Sequence, residues 1–464
     1  MNTTSNRQVS KREFVSYCLF FLGQNILWGY AGYIETFLTD IGIAAAKAAA
    51  LLIIPKLWDA VNDVLFGYIL DRYTFKNGEK FRPWIRVGVS AIGITTVALF
   101  AIPASMSDSM KIVWFLIAYI LFDAAYTVLD SPAYAITTVM TTDVDERSKV
   151  IAGGKLWAMV GAVLATVVIP LVRPKLGWFT ACIVFVIISL VLMIPLIFNA
   201  REKHVETEKA EVSPTLSEMV KYLKTNNFLL IALIAFFLLG LASLEQKMAI
   251  YVGRICFGNE SVATLVAAGA SLSVIVVSAV IPKLFNRWDK FSILVVGLLF
   301  SIVMDIVTYF VGYGNLVVAL IFITLKCSGL GFWSVIIYML VADTVEYGAY
   351  KSGAKAAGIT FSLQTFIAKL KNAVIGSVVL TCLATVGFVE GEGQVQTAEV
   401  AKGIWSLFCL FPAIGFAIAL LILVPFYKLR TKDVQVMARY NNGEITKDEA
   451  ENLLKEKYGA AAER

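Results

Sequence analysis

Residues 200–227 read AREKHVETEKAEVSPTLSEMVKYLKTNN, the longest charged stretch lying between apolar runs of the chain. A helix needs roughly 20 apolar residues to cross a bilayer. Ahead of this stretch, runs of that length fall at about 14–39, 46–71, 84–104, 111–140, 151–172 and 177–199. Behind it they fall at about 228–249, 261–284, 290–312, 316–342, 358–386 and 403–427. The chain therefore divides into a first bundle at 1–199, a central loop at 200–227, a second bundle at 228–427 and a tail at 428–464.

Composition agrees. Of the 464 residues, 58% are hydrophobic and only 16% charged, against about 25% charged in a soluble domain. A water-facing coat cannot be built from so few charges, whereas lipid replaces water around apolar faces. Six spans, a charged loop and six spans are the outline of the major facilitator fold, an all-α membrane architecture of twelve helices in two six-helix halves around a midplane cavity. The first apolar run is too long for the core of a cleavable signal peptide, and further spans follow it, so none is expected.

The loops set the orientation. Arg72, Lys76, Lys80, Arg82 and Arg86 follow span 2, and Arg147 and Lys149 follow span 4. Arg201, Lys203, Lys209, Lys221 and Lys224 lie in the central loop, and Lys428, Arg430 and Lys432 follow span 12. All fall on one side, which the positive-inside rule makes cytoplasmic, with both termini. The net charge of +6 is spread over these loops, which fits a multi-pass protein of the cell membrane and not a nucleic-acid binder. Thr215 with Glu218, and Thr446 with Glu449, have capping-box spacing ahead of two short surface helices.

Several chemistries are excluded. The single His204 sits in the charged loop, so a histidine metal site or catalytic triad cannot be assembled. The six cysteines are scattered singly, without CxxC spacing, and read as small apolar core residues. No nucleophile–base pair is evident, so the chain does not read as an enzyme, and no cofactor is expected.

Charges inside spans carry the information, because each costs about 2.5–3.5 kcal/mol at a helix centre on insertion scales and tends to face a polar cavity. Span 2 contains KLWDAVND (56–63). Asp59 and Asp63 are four apart and share a face, with Lys56 one turn before. Two carboxylates that close need a cation, a proton or a basic partner. The set reads as a coupling-ion site; the plainer alternative is an internal salt-bridge cluster. Span 4 contains YTVLDSPAY (126–134), where Thr127 lies one turn before Asp130, and Asp123 two turns before it. Pro132 frees a backbone carbonyl one turn back. Carboxylate, hydroxyl and carbonyl oxygens suit Na⁺ or H⁺ over a transition metal. In span 11, Lys369 reads as deep and Lys371 as facing elsewhere. Glu245 and Lys247 read as rim charges, while Asp305 and Lys326 are placed to pair. Trp58, Tyr134, Trp157 and Trp333 are candidate flat surfaces for a sugar ring. Asp71 and Arg72 at the end of span 2 are placed to latch onto Glu146 or Arg147 after span 4.

These segments resemble the glycoside–pentoside–hexuronide:cation symporter family of the major facilitator superfamily. The resemblance covers nearly the whole chain. It is carried by KLWDAVND (56–63), the DRYTFKNGEKFRPW loop (71–84), YTVLDSPAY (126–134), ADTVEYGAYKSG (342–353) and FSLQTFIAK (361–369). It implies that Asp59 and Asp63 are cation-site acids, possible Na⁺ ligands, with Thr127 beside them. It implies that Asp130 serves the sugar site and bears on the cation site, and that Lys369 lines the same cavity. Lys56 and Lys155 stand where the family's best-known member has arginine, and Tyr134 where it has a tryptophan against the sugar. Asp343 and Glu346 match acids of a cytoplasmic charge network, with Lys355 in place of its arginine. Two departures stand out: Asn25 replaces a sugar-binding aspartate, and SGAKAAG (352–358) lacks the usual acid.

The expectation is a symporter importing a small glycoside, pentoside, hexuronide or short oligosaccharide with Na⁺ or H⁺. Asp59, Asp63, Thr127 and Asp130 would bind the cation. Asn25, Lys56, Asp130, Tyr134, Lys155, Trp157 and Lys369 would bind the sugar. Its partners would be sugar, a monovalent cation and membrane lipid; nothing requires more than a monomer. A lysophospholipid carrier and a non-accumulating sugar sensor are the rival readings.

Overall fold

A computed structural model describes residues 8–73, 75–76, 78–203, 216–285, 287–353 and 356–458. All regular structure among them is helical. The chain forms two compact units. One comprises Met1–Glu211 with Gly253–Thr264 and Gly376–Val400; the other comprises Val212–Val252, Leu265–Ile375 and Ala401–Arg464.

In the first unit the helices are α1 (Lys11–Ala31), α2 (Ile34–Asp40), α3 (Ala45–Arg72), α4 (Arg82–Phe100), α5 (Asp108–Met140) and α6 (Val144–Asn199). Helix α1 opens on a capping box: the Glu13 amide donates to Ser10 Oγ at 3.2 Å, and the Ser10 amide donates to Glu13 Oε2 at 2.7 Å. It packs along α6, while α4 packs on α5 and α6, and α3 on α5. Small residues let α1 and α6 approach. A Cβ on Gly23 would stand 2.6 Å from the Ser189 carbonyl oxygen, and one on Gly161 2.5 Å from that of Leu22. Such small-residue seams drive helix association in lipid, where no hydrophobic effect separates helix from solvent.

The membrane-crossing portion of α6, Lys149–Asn199, has 51 residues. At 1.5 Å per residue that is about 75 Å, far more than the roughly 30 Å apolar thickness of a bilayer. It is two spans joined at Gly177, whose φ of 73° and ψ of 172° break the helix. The expected boundary at 172–177 falls at this bend.

The second unit contains α7 (Leu216–Thr225), α8 (Asn227–Ala242), α9 (Glu245–Tyr251), most of α10 (Val262–Leu284), α11 (Lys290–Val311), α12 (Leu316–Lys326) and α13 (Ser328–Ser352). It also holds the first part of α14 (Ala357–Thr385), most of α15 (Ala398–Phe426), α16 (Thr431–Asn441) and α17 (Lys447–Tyr458). Its core joins Phe236, Leu239, Leu298, Trp333, Phe416 and Tyr427. Two expected spans are interrupted: 228–249 breaks at Ser243–Leu244 between α8 and α9, and 316–342 bends at Cys327 between α12 and α13. The tail helix begins as its capping box predicts, with the Thr446 amide donating to Glu449 Oε2 at 2.8 Å and the Glu449 amide to Thr446 Oγ1 at 3.3 Å. Helix α7 begins at Leu216; Thr215 lies outside the described residues.

Among the described residues nine helices are long and apolar enough to cross a membrane. Large apolar side chains stand outward on them: Ile94, Phe198, Phe310 and Leu421 are each 72–80% exposed. A water-soluble surface does not carry such faces in this density; lipid accommodates them.

Candidate functional site

The acids of the proposed cation and sugar sites lie on α3 and α5 of the first unit. The side chains of Lys56, Asp59, Asp63, Asp71 and Arg72 lie outside the described residues, as does Lys355. Around them a polar strip is well defined. Asn62, one residue before Asp63, is buried and donates from Nδ2 to Thr127 Oγ1 at 2.8 Å. Thr127 in turn donates to the Asp123 carbonyl at 3.2 Å. This line holds α3 to α5 at Asn62 and Thr127.

Three residues along α5, Asp130 accepts from Gln24 Nε2 of α1 at 2.6 Å. A charge-assisted bond this short ties two apolar spans together at one polar point. Two further polar atoms stand unsatisfied: Gln24 Oε1 and Tyr17 Oη have no hydrogen-bond partner among the described residues. Tyr17 and Gln24 are both essentially buried. A buried acceptor and a buried hydroxyl beside a carboxylate are the groups a polyol satisfies. Aromatic rings adjoin them. The Phe21 ring centroid lies 4.9 Å from that of Tyr17 and 4.8 Å from that of Tyr134, and Tyr134 is 40% exposed.

Asn25, assigned to the sugar by resemblance, donates instead to the Phe21 carbonyl of its own helix at 3.0 Å. Its neighbour Gln24 makes the contact to Asp130. Lys155 and Trp157 are exposed on α6. Lys369 is exposed on α14. Lys371, expected to face elsewhere, lies over the rings of Phe236 and Trp333, at 5.8 and 5.4 Å. Trp333 itself donates to Ser243 Oγ at 2.8 Å.

The residues read as a gate have local partners. Glu146 accepts from the amides of Gln8 and Val9 at 3.2 and 3.0 Å and from Thr141 Oγ1 at 2.8 Å, which ties the start of the chain to the α5–α6 turn. Arg147 donates to the Thr141 carbonyl at 3.2 Å. In the second unit Asp343 pairs with Lys290 at 2.5 Å, and Glu346 accepts from Asn441 Nδ2 of α16 at 2.7 Å.

One cluster of the first unit escaped the sequence reading. Arg173 pairs with Asp40 at 2.5 Å, Glu260 at 2.7 Å and Glu392 at 2.7 Å. Arg254 pairs with Asp40 at 2.6 Å and Glu260 at 2.8 Å. Trp178 Nε1 donates to Asp40 Oδ2 at 2.9 Å, and the Arg173 guanidinium lies 4.5 Å from the centre of the Trp178 ring. The Gly391 and Glu392 amides donate to the carbonyls of Thr39 and Asp40 at 2.9 and 3.0 Å. A cleft of about 310 Å³ lined by Asp40, Trp178 and Glu392 adjoins it. The signal was legible only in part: Arg173 sits just past a span, but its acids come from the end of α2 and from two segments far later in the chain.

Comparison with known proteins agrees with this architecture. Residues 21–431 match the family described as MFS/sugar transport protein. A glucuronide carrier protein homolog of Escherichia coli (strain K12) is 27% identical over 438 residues, covering 92% of this chain and 94% of that protein. The isoprimeverose transporter of Lactiplantibacillus pentosus is 26% identical, covering 88% and 86%. Among solved structures, a nucleoside transporter superposes with a TM-score of 0.63 at 13% identity, covering 90% of this chain and all of that one. A D-xylose–proton symporter does so at 0.60 and 10%, covering 89% and 97%. These last two likenesses establish the fold alone. The matched family and its members are transporters, not enzymes, and the apolar helices make this a multi-pass membrane protein. From fold, polar strip and family match together, the chain belongs to the MFS/sugar transport protein family, in its glycoside–pentoside–hexuronide branch, and is a secondary transporter of sugars.

Proposed function

We propose that the protein is a cation-coupled symporter that imports a small glycoside, pentoside or hexuronide across the cell membrane by alternating access. The observation that carries this reading is the bond from Gln24 to Asp130, with the unpartnered Gln24 Oε1 and Tyr17 Oη beside it. It supplies a carboxylate, an acceptor and a hydroxyl inside apolar spans, next to the Phe21 and Tyr134 rings. Sugar hydroxyls satisfy the polar atoms, and a sugar C–H face packs on the rings.

In this reading Asp59 and Asp63 hold Na⁺ or H⁺, and the Asn62–Thr127 bond fixes the spacing of the helices that carry the site. Cation binding removes an uncompensated negative charge, so sugar and cation tighten one another's binding. The relatives named for a glucuronide and for isoprimeverose favour a hexuronide or a pentose-containing glycoside. Both termini lie in the cytoplasm, and a monomer suffices.

The test is uptake of a labelled glycoside panel, with and without Na⁺, in cells lacking their own sugar permeases, for wild type and Asp63→Asn. The expected result is accumulation against a gradient that depends on a cation and collapses in Asp63→Asn. Equilibration without accumulation, identical in both proteins, would make the protein a uniporter and refute the role of Asp63.

A further inference from the structure

The second unit contains a charged cluster that the sugar pathway does not use. Glu245 stands just after the break between α8 and α9, Asp305 is on α11, and Lys326 ends α12. Their side chains are 2%, 0% and 0% exposed. Glu245 is thus a core residue and not the rim charge its position suggests: the interrupted helix turns it inward.

Lys326 is fully engaged. Its Nζ donates to Asp305 Oδ1 at 3.0 Å and to the Phe408 carbonyl at 3.0 Å, lies 3.5 Å from Glu245 Oε1, and sits 4.3 Å from the centre of the Phe408 ring. The Phe408 carbonyl is open to it for a covalent reason. Its helical donor would be residue 412, which is Pro412 and has no N–H. The Ser301 hydroxyl donates to the Lys326 carbonyl, so the bend at Cys327 is held as well.

The charges do not balance. Two carboxylates face one ammonium, and each carboxylate keeps one oxygen, Glu245 Oε2 and Asp305 Oδ2, with no hydrogen-bond partner among the described residues. A net negative charge with no access to water is removed by taking up a proton or a cation. A Na⁺ ion needs several oxygens, yet Lys326 already occupies one oxygen of each acid and the freed carbonyl, and its charge repels a metal. What remains is one oxygen from each acid, which suits a proton. Among the described residues, the other titratable groups beside Lys326 are the thiols of Cys327 and Cys409, both buried.

We propose that Glu245, Asp305 and Lys326 form a proton-binding site within the second unit, in which the two carboxyls hold one proton between them and Lys326 stays charged. The site is separate from the cation site at Asp59 and Asp63 and does not depend on which sugar is carried.

Charge counting makes the test sharp. Removing either acid charge leaves one carboxylate balanced by Lys326, so no proton is required. Removing the lysine requires both acids to be neutral. The measurement is the infrared carboxylic-acid C=O band of full-length protein in lipid vesicles, titrated with pH in K⁺ and in Na⁺ buffers. In difference spectra against Asp305→Asn and against Glu245→Gln, wild type should show one neutral carboxyl near neutral pH, and Lys326→Met should double that difference. Two acid variants guard against misfolding of one. The proposal is overturned if the difference band is absent for both acid variants, or if Na⁺ removes it at constant pH. Failure of sugar uptake would leave this result untouched, because no sugar is added.

Discussion

At the scale of single residues, one helical position separates two readings of the sugar site. Resemblance assigns sugar binding to Asn25, whereas the bond to Asp130 is made by its neighbour Gln24. A step of one residue turns a side chain by about 100° around a helix, and a polytopic sequence that is apolar all round carries little signal for that rotation. The same limit separates Lys369 from Lys371. Gln24→Ala should raise the KM for sugar uptake roughly ten- to hundred-fold, the loss expected for a hydrogen bond of about 1.5–3 kcal/mol to a charged group. An unchanged KM would remove Gln24 from the site. Asn62→Leu should lower the affinity for the coupling cation and leave folding intact, because Thr127 keeps its bond to the Asp123 carbonyl. Cation-activation curves of uptake check this.

Helices were the most legible elements. Length and hydropathy located most of the long helices, because the bilayer imposes a minimum that soluble folds lack, though the run read at 316–342 continues to Ser352. Interruptions inside spans were not legible: the breaks at Ser243–Leu244 and Cys327 fall in apolar runs that no proline marks. The bend at Gly177 is an exception that glycine could have announced. Its backbone region is open to glycine alone, so Gly177→Ala should cost about 1–3 kcal/mol, read as a lower melting temperature of the purified protein. Another local device ties α16 to the bundle. Burial opposes ionisation of Asp289, but its carboxylate accepts from the Thr431 and Phe291 amides at 2.9 and 3.0 Å and faces Arg430, and its pKa is held below the ordinary aspartate value. A depressed carboxyl stabilises the fold above its unfolded pKa and loses that contribution as pH falls through the folded value. Hydrogen exchange of residues 431–441 should therefore stay slow near neutrality and rise only under strong acid. Asp289→Asn should make it faster at neutral pH.

At the scale of the whole molecule, the charged stretch 200–227 separates two apolar halves of the sequence, and the compact units change over within it, between Glu211 and Val212. What no local pattern revealed is that residues 253–264 and 376–400 belong with the first compact unit. The arginine cluster explains why they do. Arg173 and Arg254 gather Asp40, Glu260 and Glu392 around two guanidinium groups, and most of the cluster is buried. Removing one member strands the others. Arg173→Met should destabilise the protein by about 3–5 kcal/mol, because buried acids lose their partner. Adding Glu260→Gln should recover part of the loss, and thermal denaturation of both proteins checks it.

The same cluster has a consequence for synthesis. Arg173 and Glu392 are 219 residues apart in the chain. At about 5–20 residues per second, the ribosome delivers the second roughly 10–40 s after the first. Asp40 is already present when Arg173 emerges, so the nascent chain enters the bilayer with a provisional pair whose remaining carboxylates arrive later. The first helices are inserted well before the last partner that locks them exists.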